Sequence, residues 1–273
     1  YLEVDLESGR IKEVRFSDDI LRRYLGGRGL ATRILWDRLG DRWEEIDPLG
    51  PENILTVFTG PLTGFYPGVR VCVSGKSPQS NGIIGSTSSG EFALELKCSG
   101  YDGVIVTGKA EKPVYIFITD DHAEIKSAEK IWGELGEKTV PWLVRESRKE
   151  LEETKPKYGK IKEPGILYIG PAGENLVNLA GIFFDARPDG PRAAGRCGMG
   201  AVMGSKNLKA IAVKGSAKVE VADLRRLREY LRRILPSIMS FPTTQLYATY
   251  GTTAEVGPLY TYGDFPIKNF TMG

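Results

Sequence analysis

Histidine, cysteine and glutamine are scarce in this sequence, and each shortage narrows the chemistry. A single His122 removes any two-histidine metal site and argues against a Ser-His-Asp triad. Three cysteines, Cys72, Cys98 and Cys197, lie too far apart for a disulfide framework or for a zinc or cluster motif. Such cysteine usage points to a reducing cytosol. Only two glutamines, Gln79 and Gln245, lean toward a thermophilic source. No apolar run approaches the ~20 residues of a membrane span, so no membrane partner is expected. Tyr1-Leu2-Glu3-Val4-Asp5 does not read as a signal peptide, and a cytoplasmic protein is expected. A net charge of +2 excludes a strongly electrostatic nucleic-acid binder.

What is present suits a globular chain. With 273 residues, 41% hydrophobic and 26% charged, it can bury about three quarters of its unfolded surface. Residues 2–6 and 11–16 alternate around Glu7-Ser8-Gly9-Arg10, which predicts a hairpin. Ser17 is placed to cap a short helix ended by Gly26-Gly27, and a second helix follows over 29–39 with Leu30, Ile34, Leu35 and Leu39 inward. Strand candidates are 54–58, 69–73, 103–107, 114–118, 166–169, 177–183 and 209–213, interrupted by a helix starting near Thr139-Val140-Pro141 and running to Glu153. Short connections favour antiparallel pairing of sequential strands. The fold class is therefore α+β: a mainly antiparallel β-sheet N-terminal domain with peripheral helices over 1–215, then the beginning of an α-helical domain over 216–273.

In that second part Asp223 caps a helix carrying Leu224, Leu227, Leu231, Ile234 and Leu235 at helical spacing. Its other face holds Arg225, Arg226, Arg228, Arg232 and Arg233; a solvated face is the default reading, with phosphate or partner binding the alternative. Past Pro236 the sequence is rich in Thr, Tyr and Gly without one clear element. Its aromatics are expected to pack against something the sequence does not include.

Two stretches hold more glycine, arginine and hydroxyl residues than a sheet needs. The first runs from Gly60-Pro61-Leu62-Thr63-Gly64 through Gly68-Val69-Arg70 to Gly85-Ser86-Thr87-Ser88-Ser89-Gly90. The second is Arg192-Ala193-Ala194-Gly195-Arg196-Cys197-Gly198-Met199-Gly200 and on to Lys206. Small residues let backbone N–H groups converge on an anion, and a flanking arginine adds a fork suited to phosphate. The same residues also suit tight turns and bulges. Gly75-Lys76-Ser77 is not a P-loop, because Arg70 stands where its first glycine belongs. Gly198-Met199-Gly200 lacks the third small residue of the dinucleotide fingerprint, Met203 standing there, and is read as leading into a strand. Asn269-Phe270-Thr271 is a formal sequon read as chance. No internal pair is a credible catalytic couple, so catalytic residues stay unassigned. His122 reads as a surface residue at a hairpin turn, and Cys72 and Cys98 as small core residues in or beside strands; Cys197, inside the second arm, is by default structural, with ligand contact the alternative.

Further matches are Tyr24-Leu25-Gly26-Gly27-Arg28-Gly29-Leu30-Ala31, Asp47-Pro48-Leu49-Gly50-Pro51-Glu52-Asn53, Gly170-Pro171-Ala172-Gly173-Glu174-Asn175-Leu176 and the stretch 192–209. In these segments the chain resembles the N-terminal part of the aldehyde:ferredoxin oxidoreductase family of tungsten enzymes. The resemblance implies a β-rich base carrying a tungsten bis-molybdopterin (tungstopterin), with a magnesium ion bridging the pterin phosphates. It implies cofactor contacts from Arg70, Thr87, Ser88, Ser89, Arg192, Ala193, Gly195 and Arg196, with the backbone carbonyls of Thr87 and Ala193 on the magnesium. It further implies a [4Fe-4S] cluster supplied by residues downstream of this chain, an aldehyde substrate, and ferredoxin as electron acceptor. A homo-oligomer, or a second chain supplying the cluster-binding domains, would complete the assembly.

The departures from the family pattern are Thr87 in place of Asn, Ser89 in place of Gly, and Cys197 where many relatives have Gly. Ser89 must therefore avoid a positive φ unless its loop has shifted. The resemblance leaves other functions open: a non-catalytic cofactor-binding or scaffold subunit of a split enzyme, or another reaction such as aromatic thioester reduction.

Overall fold

A computed structural model of the chain describes residues 1–65, 69–120, 122–153, 158, 163–185 and 190–272. Its contacts divide it into two compact units, Tyr1–Val219 and Glu220–Gly273.

The first unit holds two six-stranded sheets. One contains β1 (Leu2–Asp5), β2 (Ile11–Glu13), β3 (Leu55–Thr59), β4 (Val71–Lys76), β5 (Ile83–Ser88) and β6 (Gly103–Thr107), in the order β2-β1-β6-β3-β4-β5. The other contains β7 (Val114–Ile118), β8 (Ala123–Ser127), β9 (Gly165–Tyr168), β10 (Ile182–Phe184), β11 (Arg192–Ala194) and β12 (Leu208–Val213), in the order β11-β10-β9-β12-β7-β8. Pairing is mainly antiparallel, but β1 runs parallel to β6 and β12 parallel to β7, so short-range pairing alone does not describe either sheet.

The helices of this unit are α1 (Asp18–Tyr24), α2 (Gly27–Leu39), α3 (Glu91–Cys98), α4 (Gly136–Glu153), α5 (Pro171–Glu174) and α6 (Met199–Ser205). Successive strand residues point to opposite faces, and both faces are covered here. Val4, Val57, Val73 and Val104 of the first sheet meet Ile116, Leu167, Ile182 and Ile211 of the second in one core. On the outer side, Phe58 and Ile105 pack with Leu30, Ile34 and Leu35 of α2, while Tyr115, Ile166 and Ala212 pack with Leu143 and Leu151 of α4. The order of layers is thus helix, sheet, sheet, helix. Phe92 of α3 enters the middle layer and meets Phe184 edge-on at 5.8 Å between ring centres.

Buried charges tie this packing together. Lys209 of β12 is fully buried, pairs with Glu174 and donates to Glu134 O at 2.9 Å. Lys206 is also fully buried and donates to Pro51 O at 3.2 Å and Gly108 O at 3.0 Å. Desolvation holds the Lys209 ammonium below its ordinary pKa and pushes Lys206 down to about 8.

Several readings of the sequence are corrected. Helix α4 begins at Gly136, ahead of the expected start, with Pro141 inside it. Residues 177–181 are irregular and only Ile182–Phe184 form a strand, since Ala180 and Gly181 pass closely against Gly200. Cys98 ends α3 and is not in a strand. The stretch 198–200 leads out of β11 into α6, so the missing third small residue at Met203, and not the element order, argues against a dinucleotide fingerprint. His122 is exposed at the β7–β8 turn, 3.4 Å from Glu124; Asp121 beside it lies outside the described residues.

The second unit is helical. It contains α7 (Leu224–Ser240), α8 (Pro242–Tyr250) and α9 (Val256–Thr261). Asp223 caps α7 by accepting from Arg226 N at 2.8 Å. The helix runs past Pro236, and the Thr- and Tyr-rich stretch expected to lack a clear element folds as α8 and α9. None of the three helices buries a residue. Among the described residues no helix is long and apolar enough to cross a membrane.

Candidate functional site

Strand β5 lies at the edge of the first sheet and β11 at the edge of the second, and the two edges touch. They belong to different sheets, so each leaves one side of its backbone without a ladder partner. The glycine-and-arginine arms of the sequence are these edges and their flanking turns.

The first arm begins with a turn that fixes Arg70. Gly60 N donates to Thr63 Oγ1 at 3.0 Å, and that hydroxyl donates to Arg70 O at 2.8 Å. Arg70 then enters β4, whose Val71 pairs with Ser88 and Cys72 with Thr87. Gly68 lies outside the described residues. Ser88 is buried, its hydroxyl donating to Ser89 O at 3.2 Å. Ser89 keeps φ out of the left-handed region, and the positive φ of 133° falls on Gly90, which precedes α3. Glu91 already complements the dipole in the first turn of that helix.

The second arm leaves β11 at Gly195 and turns sharply into α6. Cys197 has φ 70° and Gly198 φ 73°. For a cysteine this left-handed conformation is strained, by roughly 1–2 kcal/mol. Ser77 Oγ donates to Cys197 O at 2.9 Å, and Arg196 N donates to Ser86 Oγ at 3.4 Å, so the arms are stitched together.

Between them lies a pocket of about 630 Å³. Gly85, Ser86 and Thr87 line it from the first arm, and Ala193, Gly195, Arg196 and Cys197 from the second. Among the described residues no acidic side chain lines it. A methyl group added at Gly195 would meet only Ala193 Cβ, at 3.7 Å, so the backbone there is open to a ligand. Of the residues singled out in the sequence, the fold brings Thr87, Ala193, Gly195 and Arg196 to one pocket. Arg70 and Arg192 are exposed, Ser88 is the buried last residue of β5 and Ser89 follows it; these four do not line it.

Sequence reading missed Arg28. Gly26-Gly27-Arg28-Gly29 reads locally as a junction between two helices, yet Arg28 reaches the same pocket. An arginine between glycines at a helix start was the available signal. Among the described residues no group of three or more His, Cys, Asp or Glu side chains converges as metal ligands.

The family model described as "Aldehyde ferredoxin oxidoreductase, N-terminal domain" matches residues 1–215. The chain is 45% identical, over 98% of its length and 42% of the relative's, to the "Aliphatic sulfonate oxidoreductase, WOR-like subunit" of Pyrococcus furiosus. It is 42% identical, over 100% of its length and 42% of the relative's, to a "Tungsten-containing aldehyde ferredoxin oxidoreductase" of the same organism. Among solved structures it resembles the active site complex BamBC of benzoyl coenzyme A reductase in complex with 1,5-dienoyl-CoA. That match has a TM-score of 0.74 and 36% identity, covering 87% of this chain and 34% of the other. The chain thus spans about two fifths of the curated relatives it matches. On the match over residues 1–215, the chain belongs to the aldehyde ferredoxin oxidoreductase family.

Proposed function

We propose that this chain is the cofactor-cradling N-terminal part of a tungsten (or molybdenum) pterin oxidoreductase that oxidises aldehydes to carboxylates with ferredoxin as electron acceptor. The observation that carries this reading is the single pocket into which both arms open. Arginine, hydroxyls and open backbone line it, with no carboxylate among the described residues. That donor set fits a phosphate-bearing ring system, and the relatives named as tungsten-containing support the identity of the ligand.

When bound, a tungsten bis-pterin would supply the two-electron chemistry at the substrate carbonyl. The residues of this chain hold and orient it. Arg196 offers a planar fork to a phosphate. The backbone carbonyls of Thr87 and Ala193, on the two edge strands that touch, would hold a magnesium ion accompanying the phosphates. Gly195 lets the ligand approach the main chain. Arg70, Ser88, Ser89 and Arg192 are assigned to the ligand's outer parts. The [4Fe-4S] cluster, the acid and base groups and the ferredoxin contact belong to other parts of the assembly, whether a longer chain, a homo-oligomer or a second subunit.

In the intact protein, Arg196→Ala is expected to lower tungsten and pterin content severalfold while the thermal midpoint of the ligand-free form stays unchanged. Full tungsten content with full aldehyde oxidation in that variant would sink the assignment. A second reading keeps the cradle and changes its setting: a non-catalytic cofactor-binding subunit of a split enzyme, or a reaction such as aromatic thioester reduction. The similarity to the BamBC complex supports it. Assaying the intact protein against aldehydes and aromatic thioesters separates the two.

A further inference from the structure

Helix α2 carries Arg28, Arg33 and Arg38, and their surroundings differ. Arg33 pairs with Asp37 at 2.7 Å and Arg38 with Glu3 at 2.9 Å. Arg28 instead donates through Nη2 to a backbone carbonyl, Gly85 O on β5. A Cβ at position 85 would stand 2.5 Å from its Nε and 2.7 Å from its Cγ, so the absence of a side chain on β5 is what lets the arginine lie against the strand. The contact orients the guanidinium without neutralising it. An arginine has five N–H donors, and one bond leaves the others to spare.

Arg196 lines the same pocket. Among the described residues neither Arg28 nor Arg196 forms an ion pair, and no carboxylate lines the space they share. Two guanidinium-bearing residues from distant parts of the sequence therefore line one cavity that carries no counter-charge among the described residues. Unpaired like charges brought to one pocket repel, and an anion placed between them removes that cost while accepting charge-assisted hydrogen bonds from both.

We propose that Arg28 is a ligand-binding residue that holds an anionic phosphate group of the bound ligand jointly with Arg196, Gly85 being the glycine that admits it. This deepens the cradle reading above and rests on it for the ligand's identity. The competing role is that of a strut pinning α2 to β5, and the two roles predict different measurements.

The test uses the intact protein, its ligand-free form titrated calorimetrically with inorganic pyrophosphate. Arg28→Met should weaken pyrophosphate binding by about tenfold or more. Its affinity should also fall less steeply with salt, because one cation fewer meets the anion. Arg28→Lys should restore part of the affinity. Gly85→Ala keeps the charge but displaces it, and should weaken binding as Arg28→Met does; it also serves should Arg28→Met fold poorly. Arg33→Met, the change of a paired arginine on the same helix, should leave binding unaltered.

Wild-type pyrophosphate affinity in both Arg28→Met and Gly85→Ala, or no pyrophosphate binding by the wild type, would overturn the proposal. Tungsten and pterin content keep the two readings apart. A wild type lacking both, yet binding pyrophosphate through Arg28, defeats the cofactor reading and leaves Arg28 standing. Full content in Arg28→Met does the reverse.

Discussion

Helices α2 and α7 invert the relation between local signal and burial. Helix α2 follows Gly26, which offers no side-chain cap, yet it buries Leu30, Ile34, Leu35 and Leu39 against the first sheet. Helix α7 has an aspartate cap, a clean apolar stripe and a basic face, yet it buries nothing. Caps and periodicity write a helix, whereas burial depends on a partner surface. The first unit supplies that surface and so tolerates poor local choices, including a left-handed Cys197. In the second, α7 has good local choices, yet neither it nor α8 or α9 buries a residue.

The largest test of this contrast is a matched pair of truncations in the 273-residue chain. Phe92→Ala removes a fully buried ring and should cost about 3–5 kcal/mol in urea denaturation. Leu231→Ala on α7 should cost less than about 1 kcal/mol. Equal losses would break the comparison.

A second test uses the buried charge. Burial lowers Lys206 from 10.5 to about 8, with Glu52 and Asp5 pulling the other way. Between those values the unfolded chain binds more protons than the folded one, so stability rises as pH rises from about 8 to 10.5. Measured against Lys206→Met, the wild type should gain up to ~3 kcal/mol across that window. Parallel pH profiles would show that the ammonium is solvated. The smallest effect belongs to Cys197→Gly, which should stabilise by no more than ~1 kcal/mol: relief of the strained φ is partly offset by the flexibility that glycine adds to the unfolded chain. Thermal denaturation reads it, and a loss of stability would mean that packing of the thiol outweighs the backbone.

Legibility in the sequence followed the range of each signal. The runs 103–107 and 114–118 are strands with those bounds, and Ser17 and Asp223 cap as their positions suggested. Strand β5 was hidden, because Gly85 and the hydroxyls at 86–88 replace the apolar alternation that marks a strand. Both parallel pairs join segments far apart in the chain, which no local pattern encodes. The pocket was half legible: composition exposed the two arms, but not that they are edges of different sheets. Arg28 escaped because its partner Gly85 is 57 positions away.

The order of the second sheet bears on how the protein comes off the ribosome. Strand β12 lies between β9 and β7, so its centre is filled by the last strand of the unit to be made. Until Leu208–Val213 emerges, the β7–β8 hairpin and the β9–β10 pair have nothing to join them. Synthesis through residue 213 is thus a prerequisite for closure of this sheet, and polypeptides released before that point should be substrates for chaperones and proteases.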